Sequence, residues 1–257
     1  MIIHHLRSAT FVIEKDNDFI LIDPMLGKKG SIPPFAFFRH KIRRNPYVEL
    51  PANSTEILNK VTHALITHLH PDHLDDAGYK FLKEKNIPVI CSKLDEKKLL
   101  KKGLNITQKL NYWEPQEFLG GKITGTPAVH GYGFIAKLMG NVMGFNIQFK
   151  DNSSIFISSD TIYTKDMDKV FKDLNPKLSV LAAGSAQFDF GGPLLMKPDD
   201  LIKFIKNFPN KVYANHMDAV NHCPTTRIKL KELLEKHGLT DKAFIPNDGE
   251  SFEFISV

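Results

Sequence analysis

The sequence predicts an α/β protein with the architecture of a four-layer αββα sandwich. Each half of the 257-residue chain begins with short apolar strands and continues with helices and strands in alternation. A sheet of mixed strands needs cover on both faces, so two such sheets are expected to pack together with helices outside. Because no linker-like segment divides the chain and its length suffices for a large core, we predict a single domain over residues 1–257.

In the first half, alternating apolar and β-branched residues predict strands, and capped stretches with a helical period predict helices. The predicted strands cover 1–6, 9–14, 19–23, 63–67, 88–91 and 105–110. The predicted helices cover 54–60, 75–86 and 93–103. Strand and helix alternate from residue 54 onward, which is typical of parallel strands joined by helical crossovers.

The second half predicts another sheet with its own helices. Strands at 120–129, 144–150 and 155–160 come first, and Asp151 and Asn152 mark a hairpin turn. The later predicted strands are 178–184, 211–216 and 249–256, and the predicted helices are 165–174, 197–208 and 225–238.

A proline-rich segment at 24–51 interrupts this pattern. It holds five prolines, two glycines, four aromatic residues and six Lys or Arg, and loops of this length usually carry a function. We expect an ordered insertion that caps the active site. Two interpretations of its charge stay open: either Arg43 and Arg44 grip an anionic substrate group, or the basic residues form a solvated surface. The phenylalanines are expected to form a small core of the segment itself: Phe35, Phe37 and Phe38.

The stretch THLHPDHLD, which starts at residue 67, concentrates potential metal ligands. Three of only 11 histidines fall within six positions. An extended backbone places His68 and His70 on the same side, and the following proline turns the chain so that Asp72 and His73 approach from another direction. Imidazole and carboxylate ligands suit zinc, and also manganese or iron. The pattern HxHxDH therefore predicts a metal site.

Three further candidate ligands stand where predicted strands end and loops begin: His130, Asp160 and His216. Side chains at such positions project into the crevice along a sheet edge. A single residue of this kind is most simply a hydrogen-bonded loop residue, but three of the right chemical type beside HxHxDH favour metal ligation. His222 follows His216 in the same loop, and we expect it to hydrogen-bond a ligand or to line the pocket.

This pattern, with LIDP in the opening strands, resembles the metallo-β-lactamase-fold hydrolase superfamily over essentially the whole chain. The layout is similar to the branch of ascorbate-6-phosphate lactonase and related hydrolases. That branch usually carries Gly-His or Gly-Asn where this chain has Arg7 and Ser8, and the difference leaves the substrate open. The resemblance implies one metal at His68, His70 and His130, a second at Asp72, His73 and His216, and Asp160 bridging both.

The resemblance implies a binuclear metal-dependent hydrolase, with zinc as the foremost metal and manganese or iron as alternatives. Two ions roughly 3.5–4 Å apart activate a bridging water as hydroxide near neutral pH, and Asp72 is expected to orient it and carry its proton. We expect a small anionic ester, lactone or phosphoester as the substrate. Two alternatives stay open: a phosphodiesterase acting on a lipid or nucleic acid, and a non-hydrolytic metal-binding or iron redox protein.

Composition limits the expected partners. A net charge of +5 and a pI near 9.0 are a mild basic excess that solvated lysines explain. No apolar stretch is long enough to cross a bilayer, and Cys91 and Cys223 lack the pattern of a disulfide or thiolate site. We therefore expect a cytoplasmic protein with a small-molecule substrate, with neither nucleic acid nor membrane as a partner. Homo-oligomerisation is left open.

Overall fold

Two seven-stranded sheets form the centre of the molecule, in a computed structural model that describes residues 1–255. The last two residues of the predicted domain and the final residue of the strand predicted at 249–256 lie outside that range. The first sheet contains β1 (Ile2–Arg7), β2 (Thr10–Lys15), β3 (Asp18–Ile22), β4 (His63–Ile66), β5 (Pro88–Ser92), β6 (Asn105–Leu110) and β14 (Ser251–Glu253). Its strand order is β14-β1-β2-β3-β4-β5-β6.

The second sheet takes its strands from the other half of the chain. It contains β7 (Pro115–Phe118), β8 (Gly121–Pro127), β9 (Met143–Gln148), β10 (Ser154–Ile157), β11 (Leu178–Ala182), β12 (Lys211–Asn215) and β13 (Ala243–Phe244). Its strand order is β13-β12-β11-β10-β9-β8-β7. The division of strands between the two sheets follows the two halves of the sequence, except that β14 closes the first sheet beside β1.

Helices connect the strands of both sheets. They are α1 (Ser54–Asn59), α2 (Asp76–Glu84), α3 (Glu96–Lys101), α4 (Ile135–Leu138), α5 (Lys165–Lys169), α6 (Pro198–Asn207) and α7 (Arg227–Lys236). A π-helical stretch at Val170–Leu174 continues α5, and a 3-10 turn lies at Thr240–Lys242. The predicted helices and strands all appear, whereas β7, β13 and α4 were not predicted. These three elements have only two to four residues, too few for a periodic pattern to show.

Alternation along the strands builds the four layers. In β3, Ile20 and Ile22 lie in the apolar core between the sheets, while Leu21 packs on the opposite face with residues of α1, α2 and α3. In β12, Tyr213 lies in the central core and Val212 packs with residues of α5, α6 and α7. Both of these strands thus bury their two faces between the other sheet and a layer of helices, which confirms the predicted αββα sandwich.

Strand direction brings several loops to the same edge. β3 and β4 are parallel, and β10, β11 and β12 are parallel. β8 runs in the same direction as β10, because both are antiparallel to β9. The carboxyl ends of parallel strands meet at the same edge of a sheet, and loops at such an edge position functional side chains.

The proline-rich segment 24–51 has no helix or strand, and buried polar residues fix its ends. The fully buried guanidinium of Arg7 donates hydrogen bonds to the carbonyl oxygens of Met25 (2.7 Å), Gly27 (2.9 Å) and Val48 (3.1 Å). Arg7 is one of the two residues at which the chain departs from the resembled branch. The arginine at this position therefore anchors both ends of the segment.

The phenylalanines of the segment do not form the core that we predicted. Phe35 is partly buried and packs with a cluster that includes Met139 and Leu194. Phe37 and Phe38 have exposed fractions of 48% and 84%, so the prediction is wrong for both. Within residues 1–255, no helix combines the length and the apolarity that crossing a bilayer requires.

Candidate metal centre

The seven predicted ligands meet at the carboxyl edge of the strands, around the carboxylate of Asp160. Asp160 Oδ2 lies 3.5 Å from His130 Nε2 and 3.5 Å from His216 Nε2, and its Oδ1 lies 3.2 Å from His73 Nε2. His216 Nε2 also lies 3.6 Å from Asp72 Oδ2. Two groups of three predicted ligands have ligand atoms within 4.8 Å of one another: His68, His70 and His130, and Asp72, His73 and His216. A third such group joins Asp23 to His68 and His73, one member of each. Asp160 contacts members of both of the first two groups.

Two residues of the centre have a left-handed backbone directly after a strand. Asp23, directly after β3, has φ of 46°, and His216, directly after β12, has φ of 61°. These left-handed values are uncommon for residues other than glycine and cost energy. The His216 N–H donates to Ser8 O (2.9 Å), which holds the turn in place. Such strained turns cluster at functional sites because they aim a side chain that regular structure would direct elsewhere.

Hydrogen bonds orient the imidazole rings so that their Nε2 atoms face the centre. In four ligands Nδ1 has a partner: His68 with Thr67 Oγ (2.9 Å), His73 with Asp23 Oδ2 (2.8 Å), His130 with Leu194 O (3.0 Å) and His216 with Cys223 Sγ (3.4 Å). A proton held at Nδ1 leaves the Nε2 lone pair free for a metal, and this kind of support is typical of metal-binding histidines.

Asp23 is a functional residue that the sequence reasoning did not identify. Its carboxylate accepts from His73 Nδ1, from the Thr67 hydroxyl (2.6 Å) and from the Thr67 N–H (2.8 Å). Because the Thr67 hydroxyl donates to Asp23, it accepts from His68 Nδ1. A single buried carboxylate thereby orients two candidate ligands. Its position at the end of β3 was an available signal, although LIDP also has the composition of an ordinary turn.

The pKa values fit a set of metal ligands. Burial, reinforced by neighbouring imidazoles, lowers the pKa of His68 well below its ordinary value, and burial lowers that of His130 to about 4. Burial would raise the pKa of Asp160, but neighbouring imidazoles outweigh it and hold the value well below the ordinary range. Burial would lower the pKa of His73, yet the carboxylates of Asp160 and Asp23 raise it well above its ordinary value. Neutral imidazoles of His68 and His130 thus stand near the ionised carboxylate of Asp160, and the same negative charge that raises the pKa of His73 would attract a metal cation.

Buried polar atoms at the centre test whether a metal fits. His68 Nε2 is buried and has no hydrogen-bond partner among residues 1–255, and such a group is costly unless something satisfies it. Within the same range, Asp160 Oδ1 has only the ion-pair contact with His73 Nε2 at 3.2 Å. His73 Nε2 lies 2.9 Å from His216 Nε2, so two potential ligand nitrogens face each other. The residues present offer nitrogen and oxygen ligands, which fit zinc, manganese or iron.

A small apolar pocket of about 230 Å³ opens onto the candidate ligands. Its floor includes His70, Asp72 and His130, and its walls are Phe35, Pro71, Met139, Phe188, Leu194 and His222. Among residues 1–255, neither lysine nor arginine lines it. A larger groove of about 480 Å³ begins near the start of β12, at the other end of that strand from His216, and contains none of the ligands.

His222 lies in the pocket wall between two aromatic rings. The Phe188 ring stacks on it (centroids 5.6 Å apart, 18° between planes) and the Phe35 ring meets it edge-on (4.9 Å, 74°). Its Nε2 lies 3.8 Å from Asp72 Oδ2. Burial lowers the pKa of His222 to about 4, so its ring is neutral near pH 7. Of the two roles expected for this histidine, the structure places it in the pocket lining.

The structure does not bring Arg43 or Arg44 into the pocket. The Arg43 guanidinium stacks over the Tyr47 ring at 3.9 Å, and Arg44 donates to the carbonyl oxygens of Gly30 (2.5 Å) and Ser31 (3.2 Å). Both side chains therefore contact other residues of the segment 24–51. The surface interpretation of the basic residues agrees with this placement better than the substrate-gripping one.

The matching family model is the Beta-lactamase superfamily domain, over residues 19–217, a range that contains all seven candidate ligands. UPF0173 protein YddR of Bacillus subtilis (strain 168) is 31% identical over 99% of this chain and 100% of its own length. The isothiocyanate hydrolase from Delia radicum gut bacteria is 30% identical, with a TM-score of 0.89 and 99% of each chain covered. A possible metal-dependent hydrolase from Veillonella parvula DSM 2008 is 28% identical, with a TM-score of 0.88, covering 100% of this chain and 99% of its own.

Proposed function

The chain belongs to the beta-lactamase superfamily and is a metal-dependent hydrolase; from that premise we propose that it uses two divalent ions to hydrolyse a small, uncharged substrate at an electrophilic carbon. Isothiocyanates are the first substrate class to test, because a relative that matches the whole chain hydrolyses them. Small esters and lactones share the same electrophilic carbon and form the comparison set.

The pocket is the observation that carries this proposal. Its volume of about 230 Å³ lies below the usual range for drug-sized ligands, roughly 300–1,000 Å³. Phe35, Phe188, Met139 and Leu194 offer apolar contacts to a substrate, and the pocket floor reaches the ligands His70 and His130. An anionic group would meet no lysine or arginine from the described lining, which favours an uncharged substrate over the anionic one expected from the basic segment.

Two residues of the pocket can act on a bound molecule. When metal ions occupy the centre, they supply an activated water and a Lewis acid. Asp72 Oδ2 faces the pocket and can orient that water and accept its proton. His222 is the one polar side chain in the described lining that is not a predicted ligand, so it can hydrogen-bond the substrate heteroatom next to the reacting carbon.

For an isothiocyanate the reaction balances with a single water. The water oxygen bonds to the central carbon, the carbon–nitrogen bond then breaks, and nitrogen receives the two protons of the water. The products are a primary amine and carbonyl sulfide. The apolar walls hold the organic substituent and exclude further water from the reacting carbon.

The test is a metal-reconstituted substrate panel. Protein loaded with Zn²⁺ or Mn²⁺ is assayed with allyl and benzyl isothiocyanate, a small lactone, 4-nitrophenyl acetate and bis(4-nitrophenyl) phosphate, and amine release is measured for the isothiocyanates. We expect kcat/KM for an isothiocyanate to exceed that for the phosphodiester by more than about tenfold, and replacement of His222 by Ala to lower it. His237→Ala, at an exposed position, is the matched control. Turnover of the phosphodiester alone would contradict the proposal.

A further inference from the structure

A buried amide network lies behind the pocket wall. Asn221 directly precedes the pocket histidine, is 6% exposed, and uses both ends of its side chain. Its Oδ1 accepts hydrogen bonds from the Phe35 N–H (2.9 Å) and from Asn45 Nδ2 (3.2 Å). Its Nδ2 donates to the carbonyl oxygens of Ala36 (2.7 Å) and Lys41 (3.3 Å). One side chain thus fixes the stretch of the proline-rich segment that carries a pocket wall.

Asn45 completes the network from the other side. It is fully buried, and its Oδ1 accepts from the Asn221 N–H (2.8 Å). Its Nδ2 also donates to Pro33 O (3.0 Å), and its backbone exchanges two hydrogen bonds with Ile32 (2.7 and 2.8 Å). The two asparagines therefore bind each other through two hydrogen bonds. They join two stretches of chain separated by 176 positions.

Three rings of the pocket wall depend on this pair. The Phe35 N–H is bound by Asn221 directly, and His222 is the next residue after Asn221 along the chain. The carbonyl of His222 accepts from the Gln187 N–H (2.9 Å), which fixes the backbone beside Phe188. Each ring therefore lies on backbone that is connected to Asn221 by one to three hydrogen bonds or covalent links: one for Phe35, one for His222 and three for Phe188.

We propose that Asn45 and Asn221 are positioning residues that set the shape of the apolar pocket and thereby its preference among substrates. Neither residue lines the pocket or belongs to the candidate ligands, so both act through the rings that they hold. The inference rests on the proposed function in one respect, namely that this pocket receives the substrate. A buried amide that loses its partner is destabilising, so the backbone relaxes and the rings shift when the pair is broken.

Isosteric variants break the network without removing volume. Asn221→Asp keeps the acceptor for the Phe35 N–H but places an oxygen where the amide donates to Ala36 and Lys41. Asn45→Asp makes the equivalent change toward Pro33. The matched control is Asn210→Asp, because that partly buried amide also donates to a backbone carbonyl (2.9 Å), near the start of β12 and away from the pocket.

Steady-state kinetics with allyl and benzyl isothiocyanate provide the first measurement. For Asn221→Asp and Asn45→Asp we expect KM for the benzyl compound to rise on the order of tenfold, and the ratio of benzyl to allyl kcat/KM to change. Bound metal per chain and kcat should stay within about threefold of wild type. Wild-type KM ratios in both variants, with only a lowered Tm, would overturn the proposal and leave the pair a general stabiliser. Asn210→Asp should show wild-type ratios.

A second measurement needs no turnover. Met139 lines the pocket together with Phe35, so the ¹³C resonance of its ε-methyl is a probe of the position of the neighbouring ring. We expect that resonance to shift in Asn221→Asp, and in Asn221→Ser should the charged variant fail to fold, while that of Met167 in the distant core stays unchanged. An unchanged Met139 resonance would overturn the positioning role. If wild type turns over no isothiocyanate, the proposed substrate fails, and the methyl shift still decides whether the pair positions the rings.

Discussion

The metal centre takes its side chains from positions within one to seven residues of β-strand ends, whereas the pocket beside it takes its apolar walls from longer loops. At the centre, Asp23 directly follows β3, which pairs with β4 in the first sheet, and His216 directly follows β12, which pairs with β11 in the second sheet. In the pocket, Phe35 and Phe188 lie on segments without helix or strand, fixed by individual side chain–backbone hydrogen bonds. We therefore expect reaction chemistry and substrate preference to depend on different parts of the molecule. Substitutions in the two regions should therefore have different kinetic signatures.

The largest effect is expected when the carboxylate of Asp160, which contacts both ligand groups, is removed. In Asp160→Ala we expect metal content to fall and kcat/KM to drop on the order of a thousandfold or more, because both ligand groups lose the carboxylate that they share. Metal per chain is measured by elemental analysis, and folding by circular dichroism. Asp16→Ala, with its exposed carboxylate, is the control. A folded variant that keeps both the metal and the rate would show that Asp160 is not the bridging ligand.

The next test asks whether residues that do not face the metal belong functionally to the centre. Asp23→Asn preserves size but weakens the hydrogen bonds from His73 Nδ1 and the Thr67 hydroxyl. Losses of this kind of support typically cost about 10–100-fold in metal affinity or activity. Competition for Zn²⁺ with a fluorescent chelator measures the affinity. Unchanged affinity would limit the centre to the seven predicted ligands.

The convergence of the seven candidate ligands at one sheet edge could be predicted from the sequence, for a physical reason. Strand periodicity identified the elements, and parallel strands bring their carboxyl ends to the same edge, so His130, Asp160 and His216 could be recognised at strand ends. Asp23 was missed although it occupies an equivalent position. Its role appears only through its contacts with Thr67 and His73, which lie about 45–50 positions away.

The pocket was not predictable in the same way. Phe35, Phe188 and His222 come from three distant loops with no shared period, and their arrangement depends on particular hydrogen bonds. The composition of segment 24–51 drew attention to its arginines instead. In the structure Arg44 serves the segment's own backbone, a role that composition cannot distinguish from substrate binding.

Shortening the side chain of Phe188 tests whether the pocket wall affects substrate preference without affecting the metal centre. In Phe188→Ala we expect KM for benzyl isothiocyanate to rise about tenfold, since the lost apolar contact corresponds to roughly 1.5 kcal/mol, while kcat and metal content stay near wild type. Phe190→Ala is the matched control, because that side chain is 78% exposed and lies two residues away. A fall in kcat with unchanged KM would place Phe188 in the chemistry rather than in substrate preference.

The smallest effect is expected at Arg43 and Arg44, and it decides between the two interpretations of the basic segment. Arg43 stacks on Tyr47 and Arg44 binds backbone carbonyls, so neither guanidinium is available to a molecule in the pocket. Replacing either by Ala should change kcat/KM by less than about twofold for both an uncharged and an anionic ester, since neither side chain lines the pocket. Lys28→Ala serves as the control for loss of one surface charge. A selective loss of activity toward the anionic ester would restore the substrate-gripping role and would assign this part of the segment to substrate recognition.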